Sequence, residues 1–441
     1  MGVILQAFYF DCPEKENKEF EWWNFLTEQI SFLKEQGFSA LWLPPASKGS
    51  YVRSMGYDPY DYYDLGEFEQ KGGIKTWFGS KNELLNLIKN AHDNQIQLYA
   101  DIIINHNNGG DEQELNPIDN QLRWTKFNPQ SKKFYRDWKC FHPSPYMFSD
   151  EGVFGEMPDF CHTNPYVTHE FIKYTRWMIE EIGFDGFRYD YVKAFTALMV
   201  RHIQEASYFR NNEEIKPYGI GEFWDTIPNI KKWLNKINCF SNNSVNAFDF
   251  PLRSRLRDLC NNNDYDLNEL SQEGTILNDM TSNAVTFVEN HDTDLKDPIV
   301  KDKMLAYSYI LTHEGYPCIF WKDFFNYALS KIDSLDGISA LIQVHENFAV
   351  GSTSILYVDK NLYIMQRNGV NETDGLIFIL NNSSEEAKGN NANTKWKDTI
   401  LKPIVFSYSE NMNNLEETYI DPDGVGYFVA PPRGYAVYVI K

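Results

Sequence analysis

The chain has 441 residues, with 62 acidic against 41 basic side chains and a formal charge of −21. That balance excludes the broad basic surface that follows a phosphate backbone, so nucleic acid is not an expected partner. The length suggests roughly two or three domains at ~150 residues each, and 42% hydrophobic with 23% charged residues is a globular composition. Apolar and β-branched runs predict strands at Val3–Phe10, Ala40–Leu43, Gln97–Ile104, Gly186–Asp190, Tyr218–Glu222, Val245–Phe250, Ala284–Val288 and Tyr316–Phe320. Helical patterns lie between them over Glu19–Gln36, Ser80–Asn94, Pro165–Ile182, Ala194–Ser207, Ile227–Ile237, Leu252–Cys260 and Pro298–His313, with a last helix at Asp336–Phe348. Ser80 followed by Glu83 is a capping box, and Gly37 and Gly183 stand where helices stop.

Strands alternating with helices imply a parallel sheet, and eight such units fit a closed (β/α)8 TIM barrel of the α/β class. The third strand-to-helix connection, residues 107–164, is too long for a turn and predicts a small insertion domain. After Phe348 strands follow one another without helices, at Ile355–Val358, Leu362–Arg367, Leu376–Leu380 and Tyr427–Val439. They predict a C-terminal all-β sandwich domain over 350–441, leaving the barrel to 1–106 and 165–349. The asparagine-rich pieces Asn261–Asn263 and Asn390–Asn391 read as surface loops.

In this barrel the carboxyl ends of the strands face the active site. Those ends carry Asp101 with Asn105-His106, Arg188 with Asp190, Glu222, and Glu289-Asn290-His291-Asp292. Charged groups are costly to bury without partners, so their concentration at one rim reads as chemistry. Several carboxylates without a nucleophilic Ser or Cys, and without a phosphate-cradling glycine loop, suggest glycosidic bond cleavage. That reaction needs one protonated carboxyl and one ionised. Period two sets Arg188 and Asp190 on one strand face, where the guanidinium keeps Asp190 anionic. The apolar flank Phe223-Trp224 raises the Glu222 carboxyl and suits it to general-acid work.

The segments Asp101 to His106, Gly186 to Lys193, Gly221-Glu222-Phe223-Trp224 and Phe287 to Asp292 resemble, in order and position, the conserved motifs of the α-amylase family of glycoside hydrolases. Met157-Pro158-Asp159-Phe160 resembles its additional motif, while Gln6 to Tyr9, Leu41 to Gly49 and Met55 to Asp61 are similar to archaeal and plant-like members in particular. The resemblance implies endo-hydrolysis of α-1,4-glucosidic bonds in starch, glycogen and maltooligosaccharides, with retention through a covalent glycosyl-enzyme. It makes Asp190 the nucleophile, Glu222 the acid/base and Asp292 the transition-state stabiliser. It gives Arg188, His106 and His291 contacts to the sugar, Tyr57 the stacking platform, and Lys193 the leaving-group side. A glucan transferase sharing these residues is the alternative. A non-catalytic glucan-binding scaffold would be expected to lack one of the three carboxylates. The partner is thus an α-glucan polysaccharide or oligosaccharide, and a monomer is expected.

Asn105, Asp150 and Asp159 offer the hard oxygen donors that suit calcium. The resemblance implies a Ca2+ site built from these side chains with the carbonyls of Gly152 and Ala194. It also implies that a second metal, which some archaeal relatives hold through residues matching His142 and Cys161, is missing here, because the intermediate histidine is Met147. Cys161 then reads as a small buried hydrophobe. The six cysteines are scattered without a CxxC pair, which fits neither a disulfide framework nor a zinc ribbon. No apolar run reaches the ~18 residues of a membrane span, and no signal peptide is evident. Strand-like sequence starting at Val3 slightly favours a secreted chain with a trimmed leader over a cytoplasmic one. Tyr357, Tyr363, Trp396 and Tyr427 could bind starch, although aromatic residues on strands are more often core.

Overall fold

The computed structural model describes residues 2–150, 152–239, 241, 243–332, 334–371, 373–408 and 414–441. Eight parallel strands form a closed barrel in sequential order: β1 (Ile4–Gln6), β2 (Ala40–Trp42), β3 (Gln97–Ile102), β4 (Gly186–Tyr189), β5 (Tyr218–Gly221), β6 (Val245–Phe248), β7 (Ala284–Phe287) and β8 (Tyr316–Phe320). Every predicted barrel strand is present, all but Tyr316–Phe320 somewhat shortened. All eight are buried throughout or on all but their first residue, as strands covered on both faces must be.

The longer helices are α1 (Trp22–Gln36), α2 (Lys81–Asp93), α3 (Pro165–Trp177), α4 (Ala197–Gln204), α5 (Ile227–Asn238), α6 (Phe250–Asn261), α7 (Lys303–Thr312) and α8 (Ile338–Phe348). The capping box forms as expected: Ser80 and Glu83 satisfy each other's backbone N–H at the start of α2. Gly37 and Gly183 take φ of 99° and 107°, the left-handed geometry that ends a helix.

The chain divides into two compact units, one of residues 7–34 and 39–248, the other of 1–6, 35–38 and 249–441. In the first, the connection after β3 carries an antiparallel hairpin, Glu112–Asn116 with Gln121–Lys126. In the second, the C-terminal strands are all antiparallel: β9 (Thr353–Val358), β10 (Leu362–Arg367), β11 (Leu376–Asn381), β12 (Lys388–Asn393), β13 (Thr399–Phe406), β14 (Thr418–Ile420), β15 (Val425–Ala430) and β16 (Gly434–Ile440). Six form one sheet in the order β9-β10-β11-β16-β13-β14, and β12 pairs with β15. Their core includes Ile364, Ile379, Trp396, Leu401, Phe428 and Tyr438.

Two expectations are corrected here. Asn390 and Asn391 lie in strand β12, where they face Phe428 and Tyr427 across the ladder. Only Ala392 of that strand is buried, so neither composition nor alternation marks it. The region Tyr427–Val439 is two strands, broken at Pro431 where the chain turns between β15 and β16. Tyr363 and Trp396 are core, whereas Tyr427 is exposed. All six cysteines are free thiols, and Cys239 alone among them is exposed. Among the described residues no helix is long and apolar enough to cross a membrane.

Candidate active site

In the first unit the polar strand ends converge on one guanidinium. The parallel register sets Arg188 of β4 beside Asp101 of β3 and Ile220 of β5. Arg188 is fully buried, and its Nη1 donates to Asp101 Oδ1 and to Asp190 Oδ1, each at 2.7 Å. Its Nη2 lies 2.8 Å from Glu222 Oε2. The guanidinium also packs on the Trp42 ring, 4.9 Å from its centroid. Asp101, Asp190 and Glu222 around it hold the arginine proton even more firmly than usual, against the pull of burial.

The three carboxylates are not equivalent. Asp101 additionally accepts from Trp42 Nε1 at 3.1 Å and from the Tyr57 hydroxyl at 2.8 Å. Its oxygens are thereby committed to holding Arg188 and Tyr57 in place. Asp190 and Glu222 follow the ends of their strands and keep 8% and 7% exposure, enough to meet a ligand. The Glu222 carboxylate accepts the Tyr191 backbone N–H at 2.9 Å. Tyr191 takes φ of 46°, a left-handed conformation unfavourable for an aromatic residue, directly after Asp190. So the immediate neighbours of Glu222 include a cation and an amide, beyond the apolar flank its sequence suggests.

Tyr57 is half-buried and tilted against Phe10. His106 Nε2 donates to the Tyr57 carbonyl at 2.8 Å, while burial lowers the imidazole pKa and keeps it neutral. Its ring stacks on Phe154 of the insertion, 4.7 Å away at 9°. Phe154, which is 43% exposed, carried no signal in the sequence, since the contact depends on a loop returning across fifty residues. Lys193 Nζ donates to the Trp224 carbonyl at 3.2 Å.

In the second unit, the turn after β7 carries Glu289 to Asp292. Glu289 is buried and holds the turn together: it accepts from Arg253 at 3.0 Å and from the Thr293 hydroxyl and the Ile299 N–H, each at 2.5 Å. Asn290 Oδ1 accepts the backbone N–H of Asp292 and of Thr293. Gln6 Nε2 donates to His291 Nδ1 at 3.0 Å, which places the imidazole proton on Nε2. Asp292 remains partly accessible, with Lys296 2.7 Å from its Oδ1.

A second polar cluster lies in the first unit. His142, Asp150 and Asp159 bring one ligand atom each within 4.8 Å of one another. His142 Nδ1 donates to the Met147 carbonyl at 3.2 Å, and its Nε2 lies 3.4 Å from Asp150 Oδ2. Asn105 Oδ1, Asp150 Oδ1, Asp159 Oδ1 and His142 Nε2 are buried without hydrogen-bond partners. Burial and the Asp150 charge push the Asp159 carboxyl up to about 8. Acceptors that repel one another in a dry place fit a cation. Gly152 and Ala194 are also adjacent, since a Cβ on Gly152 would sit 3.0 Å from that of Ala194. Of the residues predicted from sequence, Asp150 and Asp159 thus lie together and His142 joins them, while Asn105 is tied to the same segment by the Phe160 N–H that donates to its carbonyl. Cys161 lies apart from this group, its thiol 3.2 Å from the Thr163 hydroxyl.

A closed parallel barrel with buried strand-end carboxylates is one architecture on which glycoside hydrolases are built. The α-amylase catalytic-domain model matches residues 16–327, and the α-amylase C-terminal model matches 376–439. The chain belongs to the α-amylase family. It is 30% identical to an α-amylase of Geobacillus stearothermophilus, covering 99% of this chain and 87% of that one. It is 27% identical to the cytoplasmic α-amylase of Escherichia coli K12 over 100% and 99% of the two chains. The cyclomaltodextrin glucanotransferase CldA shares the fold with a TM-score of 0.72 and 19% identity, covering 100% of this chain and 99% of that chain.

Proposed function

We propose that the protein hydrolyses internal α-1,4-glucosidic bonds of starch, glycogen and maltooligosaccharides by double displacement with retention. The observation that carries this reading is the single guanidinium of Arg188 held between Asp101, Asp190 and Glu222. One positive charge against three buried carboxyls leaves an excess of negative charge, which favours a proton on one of them. Burial raises the Asp101 carboxyl even though Arg188, Tyr57 and Trp42 donate to it. Arg188 touches both Asp190 and Glu222, so the ionised role of Asp190 and the protonated role of Glu222 are assigned from their places in the family motifs.

In the first step Asp190 attacks the anomeric carbon while Glu222 protonates the departing glycosidic oxygen. In the second, Glu222 takes a proton from water, which displaces Asp190 from the sugar. Asp292 supports the positive charge that develops on the ring. Tyr57 stacks on the sugar being cleaved, with its backbone anchored by His106. Arg188 and His291 are the proposed sugar-contacting residues, with the His291 proton on Nε2. Lys193 stands on the leaving-group side.

The domain plan that goes with this reading is a catalytic barrel over 1–106 and 165–349, an insertion over 107–164 and a β-domain over 350–441. The cluster in the insertion fits Ca2+ held by Asn105, Asp150 and Asp159 with the carbonyls of Gly152 and Ala194. His142 is close enough to contribute. Calcium would supply charge neutralisation that ties the insertion to the end of β3.

The test is product analysis on soluble starch and on short maltooligosaccharides, with the anomeric form followed by NMR. Endo-hydrolysis predicts a rapid fall in polymer size and products released first as the α-anomer. Release of the β-anomer would refute the double displacement, and elongated or cyclic products in place of new reducing ends would favour transfer.

A further inference from the structure

Beside Glu222 lies a cavity of about 750 Å3, bounded by the segment after β4, the segment after β5, helix α5 and part of the insertion. Tyr191, Lys193, Phe223 and Asp225 line it together with Lys232 and Lys236 of α5. The Tyr191 N–H and the Val192 N–H both point to Glu222, so this space adjoins the proposed acid/base on the Lys193 side.

The charge of this cavity runs against that of the molecule. The chain has a 21-charge acidic excess, yet three ammonium groups line one cavity. Among the described residues, neither Lys232 nor Lys236 has a carboxylate partner, although both are exposed. They stand one turn apart on the same face of α5, an arrangement in which like charges repel. The titratable groups facing the cavity leave Lys232 and Lys236 uncompensated. Asp225, whose Oδ1 accepts from the Thr226 N–H and from Asn229 Nδ2, interacts with Lys193. Asp150 belongs to the metal cluster. His162 is held neutral, its pKa lowered to about 4 by burial. Uncharged glucan hydroxyls need no such array of cations. A dianionic substituent does, because the acidic surface elsewhere would repel it.

We propose that this cavity accepts a phosphate monoester carried on the leaving-group portion of an α-glucan, with Lys232 and Lys236 as the specificity-determining residues. The inference rests on the α-glucan reading above and adds a substrate class to it. Both lysines are solvent-exposed, so their attraction is screened by salt.

The experiment compares kcat/KM for a neutral maltooligosaccharide with that for the same oligosaccharide bearing one 6-phosphoglucosyl unit in the leaving segment. The wild-type protein and the double variant Lys232→Gln/Lys236→Gln are assayed at low and high NaCl. The wild type is expected to cleave the phosphorylated substrate at least as well as the neutral one at low salt. The double variant is expected to lose about tenfold on the phosphorylated substrate only, the combined effect of two exposed charge contacts, and high salt should narrow the difference. An equal effect on both substrates, or wild-type discrimination against the phosphorylated one, would overturn the proposal. So would competitive inhibition by inorganic phosphate that the variant loses without any change in substrate preference, which would mark a site for the free anion. Failure of the wild type to cleave either substrate would instead overturn the glucan-hydrolase reading on which the proposal stands.

Discussion

Arg188 shows how much of the proposed chemistry depends on single atoms. Its guanidinium touches Asp101, Asp190 and Glu222, so each carboxyl titrates under the influence of the other two. Replacing Asp190 by Asn should abolish turnover of starch. Replacing Glu222 by Gln should lower kcat by about 10²–10⁴-fold, with most of the loss recovered on aryl glycosides whose leaving groups need no proton. Full activity of either variant on starch would remove it from the mechanism.

Acid stability depends on buried histidines, His313, His162 and His345, each lowered to about 4 by burial. His313 is fully enclosed, donating from Nδ1 to the Tyr309 carbonyl and accepting at Nε2 from the Tyr363 hydroxyl at 3.0 Å. Burial lowers its pKa to about 4. Between pH 6.5 and 4 the unfolded chain therefore binds a proton that the folded one refuses, and folding stability falls as pH drops through that window. The loss is on the order of 2–3 kcal/mol by linkage. Denaturant titrations at several pH values should show this slope in the wild type and a flatter one in His313→Gln. An unchanged slope would place the acid sensitivity elsewhere.

Among the elements, the insertion is the one that the proposed calcium would hold in place. The ligand-facing atoms of Asn105, Asp150, Asp159 and His142 are buried without partners. Binding of calcium to the folded state alone adds about 2.7 kcal/mol at a hundredfold excess over Kd. Chelation should therefore lower the melting temperature and the activity together, and added calcium should restore both. Asp159→Asn should show a low melting temperature that calcium no longer raises. Insensitivity of the wild type to chelator would rule calcium out.

The helix α2 offers a control without metal. Its Ser80→Ala variant should lose about 1 kcal/mol through the broken capping box, measured by urea unfolding, with activity per folded molecule unchanged.

The elements also show why some features were legible in the sequence and others were not. Barrel strands were readable because both faces are buried, which leaves short apolar runs ending in polar residues such as Asp101 and Glu222. The capping box was readable because it is local. Strand β12 was not, since Lys388–Asn393 buries one side chain and owes its existence to pairing with β15. Phe154 was missed, and His142 was read only toward a second metal, for the same reason at longer range: the segments that bring them to His106 and Asp150 have no periodicity to read.

At the scale of the whole molecule, the formal charge of −21 keeps the surface acidic while the pocket beside Glu222 gathers lysines. Exposure of sulfur is just as uneven. Burial raises the pKa of Cys12, Cys140, Cys260 and Cys318 and leaves those thiols poor nucleophiles. Cys161 is buried as well, whereas Cys239 is exposed at the C-terminal end of α5, three residues beyond Lys236. A maleimide probe should therefore couple at one position in the native protein and at all six cysteines after denaturation, as counted by mass spectrometry. The fold thus supplies its own attachment point for a fluorophore or spin label at the end of the lysine-bearing helix, with no mutation needed.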